Sequence, residues 1–477
     1  MKNTIRGLLI IGLFSLSFSQ MLTAQAPLSL KAAIETSLAN NTSVKRGVLA
    51  VEDAEQAIRL AYAEVFPEVT SSINYTRNFE IPVSFFPAEI IDPVNGVPGT
   101  FVPVAFGTDN NWQGGFSVSQ TLLRGEAFIG ISSSAIFKAV QEENLRLVSQ
   151  QIVTQTRLAY YAVLVAQEQF RLQEAQVNRL QKNLDENQVR ADAGLVDDYD
   201  VLRLQVQLSN QKPQLIEAEY AVQEAYRNLK TVMGIPVGVP ISAQGNLNEF
   251  DITESATSVV ENQGLKEIDK MNIFSAYSAD FDSSLYFDAR GDLRLLDASI
   301  KLKDREISAI RSRFLPTLNA IYNLQWTSVE PGTPNFFEDA VRFQTLGLNL
   351  ELPLFTGFER LSNVQRAKIE YKDLEQQKRQ AELTAENEIA SYSEDIEQAY
   401  ETSEARKLAL KQAREGYERA KKRFDNGLGS QLEVTEAEVQ VREAEVNYAL
   451  MVFNYLSAKA NYDYATGMVP FVDLSTN

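Results

Sequence analysis

The chain has 477 residues, with 45 Lys plus Arg against 63 Asp plus Glu for a formal net charge of −18, and it contains neither Cys nor His. That balance argues against nucleic acid as a partner, because phosphate contacts need clustered cations. Without Cys there is no disulfide framework, thiolate nucleophile, thiolate metal site or lipoprotein-type acylation point, and without His the commonest general base and metal ligand are missing.

The N-terminus carries Lys2 and Arg6, an apolar run from Gly7 to Phe18 and then the small residues Thr23-Ala24-Gln25-Ala26. This pattern predicts a secretory signal peptide over 1–24, cut after Ala24 because a cut after Ala26 would leave Pro27 beside the scissile bond. No later stretch approaches ~18 consecutive apolar residues, so any membrane crossing has to use strands.

From Leu28 to Glu64 the composition predicts helix, broken at Asn40-Asn41-Thr42-Ser43, a run that suits an N-cap. Phe66-Pro67 stops it. The period then changes to two: Val69, Ser71, Ile73 and Tyr75 alternate with Glu68, Thr70, Ser72 and Asn74, which predicts a strand. A loop rich in Pro, Gly and Phe covers roughly 77–111. A second strand follows, with Trp112, Phe116, Val118 and Leu122 on one face and Gln113, Ser117, Ser119 and Thr121 on the other.

After Gly125 helical composition runs almost unbroken to Arg190, a rod of about 100 Å at 1.5 Å per residue. Arg190-Ala191-Asp192-Ala193-Gly194-Leu195 then breaks it. A return helix over about 198–232 carries Leu204, Leu208, Leu215, Ala218, Val222, Ala225 and Leu229 at 3-4 spacing, interrupted at Gln211, with a local bend expected at Pro213. The run Asp197-Asp198-Tyr199-Asp200 lacks calcium-loop spacing and suits a helix N-terminus. From Gly234 to about Ser284, Pro236, Pro240 and Gly245-Asn246-Leu247-Asn248 mark a linker with short elements.

The pattern then repeats. Arg290-Gly291-Asp292-Leu293-Arg294 lines up with Asn41-Thr42-Ser43-Val44-Lys45, and Leu315-Pro316 lies 249 residues after Phe66-Pro67. Leu318, Ala320, Tyr322, Leu324 and Trp326 outline a third strand; Leu346, Leu348, Leu350, Leu352 and Leu354 outline a fourth. Gly357 follows Gly125 by 232 residues, while Gly427 follows Gly194, and Gly467 follows Gly234, by 233. The first copy's inter-strand loop is thus longer by 17 residues, whereas the helices hold their length. Arg423-Phe424-Asp425-Asn426-Gly427-Leu428 is the second Gly-Leu break. Both breaks read as turns of αα-hairpins, since neither has the spaced glycines or the Lys of a phosphate loop. In the last helix Ala437, Val441, Ala444, Tyr448, Met451, Tyr455, Ala458 and Tyr462 form a 4-3 heptad seam. The resulting division is 25–234 for the first repeat, 235–289 for a linker and equatorial segment, 290–467 for the second repeat and 468–477 for a tail.

Four strands, each apolar on one face and polar on the other, suit a transmembrane barrel but cannot close one, since barrels start at about eight strands and an open edge is forbidden in lipid. The chain therefore has to oligomerise; three copies give 12 strands, whereas two give eight and would leave little lumen. Trp112, Phe343 and Trp326 fall near strand ends, where an aromatic girdle would sit. The same alternation also fits a soluble sheet with one buried face and a coiled-coil stalk.

The order of helix, Leu/Phe-Pro, strand, loop, strand, long helix, Gly-Leu tip and return helix, duplicated over about Leu28 to Gly467, resembles the TolC family of outer-membrane efflux channels. The resemblance implies an α+β membrane protein: a homotrimer with a 12-stranded outer-membrane β-barrel, four strands per chain, continuous with a long periplasmic α-helical barrel. It also implies outer-membrane lipid around the barrel, docking on a periplasmic adaptor and an inner-membrane transporter, no cofactor and no catalysis. By position, Gly194, Leu195, Gly427 and Leu428 are the adaptor-contacting tips, although a helix turn needs Gly whether or not it binds anything. Family members often carry acidic residues six and nine places after the second tip glycine; here these are Glu433 and Glu436, which in three copies would ring the aperture and attract cations. The matching residues of the first copy are Asp200 and Arg203, with Arg203 placed to pair with a neighbouring Glu. Some relatives have Arg two places after the second tip glycine, where this chain has Gly429. A structural periplasmic coiled-coil protein without channel activity is the competing function. The exported substrate is not legible, because the duct is shared and the pump selects.

Overall fold

The computed structural model describes residues 28–245, 247, 284–332 and 339–472. The expected signal peptide and its cleavage site, most of the 235–289 segment including Asn246 and Asn248 of its turn, and the end of the tail lie outside the described residues. In order, the elements are α1 (Leu30–Asn40), α2 (Thr42–Ala63), β1 (Glu68–Arg77), β2 (Val83–Pro87), α3 (Ala88–Ile91), β3 (Phe101–Ala105), β4 (Asn110–Leu123), α4 (Gly125–Ser132), α5 (Ser134–Asp192) and α6 (Asp198–Met233). They are followed by α7 (Ser284–Phe287), α8 (Gly291–Ser312), β5 (Thr317–Glu330), β6 (Val341–Glu351), α9 (Glu359–Asp425) and α10 (Gln431–Ala465). The chain divides into two compact units: Met1–Ser37, Gln155–Gly264 and Ala399–Ser457 form one, and Leu38–Thr154, Leu265–Gln398 and Ala458–Asn477 form the other.

The second unit carries the sheet. Its four strands pair antiparallel in the order β1-β4-β5-β6, so β1 and β6 are its edges. The register sorts the side chains by face. Val69, Ile73 and Tyr75 of β1 lie opposite Val118, Gly114 and Trp112 of β4; Phe116 lies opposite Leu324; and Tyr322 and Leu318 lie opposite Leu346 and Leu350. The other face holds Thr70, Ser117 and Asn323, with Ser117 Oγ donating to Asn323 Oδ1 at 2.7 Å. One face is thus mainly apolar, with Ser71, Gln344 and Arg342 among its polar exceptions, and the other mainly polar, with Ile321 and Phe343 among its apolar exceptions. The mainly apolar face is exposed in the single chain, where Leu346 is 74 % and Leu348 69 % accessible. The alternation read from the sequence is therefore genuine strand periodicity.

Four local expectations are corrected. The 77–111 loop contains a second, two-stranded sheet, β2 paired with β3, joined by the single turn α3. The fourth strand ends at Glu351, not Leu354, because Pro353 has no N–H to give a ladder. The first long helix is interrupted at Ser133, whose hydroxyl donates back to Ile129 O at 2.7 Å. Finally, Phe343 lies opposite Gln325 on the polar face, away from Trp112 and Trp326. A residue near a strand end joins a girdle only if its parity places it outward.

The helix starts follow the sequence closely. Asn41 caps α2, its side chain accepting from Ser43 N at 2.8 Å. In the second copy the aligned Arg290 occupies the N-cap of α8 without capping it. Instead its guanidinium, 4 % exposed, lies between Asp292 and Glu388, each at 2.8 Å, and donates to Ala465 O. Burial pulls its pKa down, but the two carboxylates more than reverse that. Beside it, Gln150 donates to Ala289 O and Gly467 O and accepts from Gly291 N. Gly467, at φ +73°, passes so close to Ala289 that a Cβ would sit 2.3 Å from its carbonyl carbon.

Candidate functional site

Both Gly-Leu breaks are Schellman turns with the same geometry. After α5, Leu195 N donates to Arg190 O at 2.8 Å and Gly194 N to Ala191 O at 2.8 Å; after α9, Leu428 N donates to Arg423 O at 2.8 Å and Gly427 N to Phe424 O at 2.9 Å. Gly194 and Gly427 share φ +72°, the left-handed conformation such a turn requires, and nothing lies within 4 Å of where a Cβ would stand. The turn therefore needs glycine for its backbone alone. It also projects Leu195 and Leu428 outward, each 74 % exposed. A closed loop would have tucked these leucines against the helices; here two apolar side chains end two hairpins in one compact unit.

The hairpins are joined by Arg190. Its guanidinium stacks over the Phe424 ring at 4.8 Å and reaches Asp425 at 3.9 Å. Asp197 caps α6, its carboxylate accepting from Tyr199 N at 2.8 Å, so the acidic run is a helix start. Asp200 and Arg203 lie half-buried in its first turns, and Glu436 lies exposed on α10. Glu433 is 3.9 Å from Arg423, which also donates to Leu428 O at 3.3 Å. Arg423 thus supplies a cation at this tip from four places before the glycine. A Cβ on Gly429 would come within 3.1 Å of the Glu433 carboxylate and 3.2 Å of Arg423 Cβ, so a side chain there would crowd this pair. The structure brings Glu433 to Arg423; among the described residues it forms no ion pair between Arg203 and either Glu433 or Glu436.

Behind the tips the helices are packed along polar residues that sequence periodicity alone does not reveal. The expected seam of α10 is present, with Val441, Tyr448, Met451 and Tyr455 buried, but Val434, Glu438, Glu445 and Val452 are buried on the same helix. Glu438 is 1 % exposed. Its Oε1 accepts from Asn183 Nδ2 at 3.2 Å, and its Oε2 has no hydrogen-bond partner among the described residues. Desolvation holds its pKa above the ordinary carboxylate value, only partly offset by Arg179 and Asn183. Glu445, one heptad on, pairs with Arg414 at 2.8 Å. Gln211, which interrupts the apolar seam of α6, stays in that seam: it is buried, donates to Gln173 and to Gln214, and accepts from Arg442 at 3.2 Å. The seven-residue spacing of Gln431, Glu438 and Glu445 was the available signal. It is masked because acidic residues are common throughout the chain.

Among the described residues no group of three or more Asp or Glu is placed to hold a metal ion, and no helix is long and apolar enough to cross a membrane.

Comparison with known proteins fits this architecture. The outer membrane protein TolC of Salmonella enteritidis is 22 % identical over 372 residues, covering 76 % of this chain and 71 % of that protein. The alkaline protease secretion protein AprF of Pseudomonas aeruginosa is 23 % identical over 364 residues, covering 75 % and 70 %. Among solved structures, the CmeC outer membrane channel of Campylobacter jejuni superposes with a TM-score of 0.73 at 18 % identity, over 92 % of this chain and 86 % of that one. The open-state MtrE outer membrane channel of Neisseria gonorrhoeae gives 0.70 at 17 % identity, over 92 % and 88 %. The family model described as outer membrane efflux protein matches residues 33–235 and 287–467. With its duplicated fold matched over most of its length, the chain belongs to the outer membrane efflux protein family.

Proposed function

We propose that the chain is the passive outer-membrane duct of a tripartite efflux or type I secretion system. Three copies close their four-stranded sheets into one 12-stranded barrel, and the paired hairpin tips dock a periplasmic adaptor that links them to an inner-membrane transporter. The duct binds no cofactor and catalyses no reaction; the pump supplies the energy and selects the cargo. Residues 1–24 are removed on export, and 25–234 and 290–467 are the two repeats around the 235–289 segment, with 468–477 as a tail.

One observation carries this reading: a sheet with one mainly apolar face, one mainly polar face and, among the described residues, both edges unpaired. Exposed leucines on such a face need lipid, and unpaired edges in lipid need further strands. Relatives named for protease secretion keep export of proteins beside efflux of small molecules.

In the assembled duct Asp200, Arg203, Glu433 and Glu436 line the periplasmic aperture. Because Arg423 partly neutralises Glu433, Glu436 carries most of the cation attraction. The test is single-channel recording of the purified protein in planar bilayers. Steady, cation-selective conductance blocked by multivalent cations is expected, with Glu436→Gln weakening selectivity and block more than Glu433→Gln. A protein that is monomeric in detergent and gives no conductance would overturn the duct, and unchanged selectivity in the variant combining Glu433→Gln with Glu436→Gln would overturn the aperture assignment.

A further inference from the structure

The β2–β3 hairpin extends the β1–β4 ribbon beyond the sheet. Past the last β1–β4 pair, Asn78 N donates to Asp109 O at 2.8 Å and Asn78 Nδ2 to Thr108 O at 2.9 Å, and Phe106 N donates to Pro82 O at 3.0 Å before Val83 pairs with Ala105. Its base is tied down: Gly332 N donates to Asp109 Oδ2 at 2.9 Å, and Asn110 Nδ2 donates to Gly332 O at 2.8 Å. β2 is therefore the outward continuation of β1, and the open edge of the sheet runs on into the hairpin.

The register divides the hairpin into two faces. Val83, Phe85 and Pro87 lie opposite Ala105, Pro103 and Phe101, so this face has no polar side chain. Phe85 and Phe101 are both exposed. On the other face Phe86 packs against Phe106 with ring centroids 5.6 Å apart. An isolated two-stranded hairpin is marginal in water, and one with a bare aromatic face needs a cover.

Resting on the trimeric-barrel reading above, we propose that this hairpin is an inter-copy clasp: the Val83, Phe85, Phe101 face packs on a second copy of this chain. The continuity of edges selects that occupant. Whatever strand closes the β1 edge arrives from the next copy, so the next copy is the nearest protein surface along β2. Only the first repeat carries the insertion, so a trimer holds three clasps, one at each junction.

The chain expressed into a bacterial outer membrane tests this by carrying the photo-crosslinker p-benzoylphenylalanine in place of Phe85 or, separately, Phe101; the substitution keeps an aromatic ring. Irradiation of intact membranes is expected to give an adduct of twice the chain mass, and Phe85→Ser with Phe101→Ser is expected to lower the temperature at which the oligomer dissociates in detergent. An adduct to lipopolysaccharide, or no adduct from a protein that still runs as an unheated trimer, overturns the clasp alone. A protein that runs as a monomer before heating overturns the trimer reading and the clasp with it.

Discussion

Glu438 shows what a buried charge does inside a helical bundle. The carboxylate is enclosed, one oxygen is bonded to Asn183 and the other has no partner among the described residues, so the charged form pays desolvation that Arg179 does not fully return. A folded-state pKa raised above the unfolded value means that the folded chain binds the proton more tightly than the unfolded chain does. The site is therefore most favourable at pH below the ordinary carboxylate value, and stability is lost as pH rises through the raised pKa. Glu438→Gln removes the charge and keeps an oxygen for Asn183. It should stabilise the protein by about 1 kcal/mol at neutral pH. The gain should fade as pH is lowered through the carboxylate range, which thermal melts of the detergent-solubilised protein from acidic to neutral pH would read. Equal melting of variant and parent at neutral pH would show that the charge is adequately paired. The contrast with Arg290 is instructive: equally enclosed, it has two carboxylates and a carbonyl as partners, and its charge is held more firmly than in water.

At the scale of elements, the hairpin tips separate turn formation from recognition. The Schellman bonds and the φ of +72° account for Gly194 and Gly427, whereas nothing in the turn accounts for two exposed leucines. Gly427→Ala should cost about 1 kcal/mol through left-handed backbone strain. Leu195→Asp with Leu428→Asp should leave the melting temperature unchanged, because neither side chain is packed, yet abolish adaptor-dependent export. Export assays in cells, run beside melts of the purified variants, distinguish these effects. Normal export by the double leucine variant would mean that the tips are turns and no more.

For the whole molecule, the sheet imposes the requirement. A mainly apolar exposed face and two edges unpaired among the described residues are tolerable in the outer membrane only after closure by further strands. The unheated protein in mild detergent should therefore run as a compact oligomer that shifts to the monomer position on boiling. A monomer before and after heating would mean that the sheet finds its cover within a single chain.

Much of this was legible in the residues. Alternation in β1 and β4–β6 requires only that one face be apolar, and helix ends are marked by Asn41, Gly194, Gly234, Gly427 and Gly467, whose roles follow from local backbone chemistry. The hairpin insertion was not legible, because Pro87 and Pro103 break the alternating pattern while the few bonds of a two-stranded ribbon hold despite them. Nor was the outward or inward position of Phe343, which depends on strand register across the sheet. Glu438, Glu445 and Gln211 read as ordinary polar positions until packing enclosed them. The sequence by itself determined the order of elements, their ends and the duplication, since these rest on short-range propensity and period. Only the tertiary structure decided which polar groups are buried, which aromatic residues face outward and where the open edge continues, since these depend on partners distant in the chain.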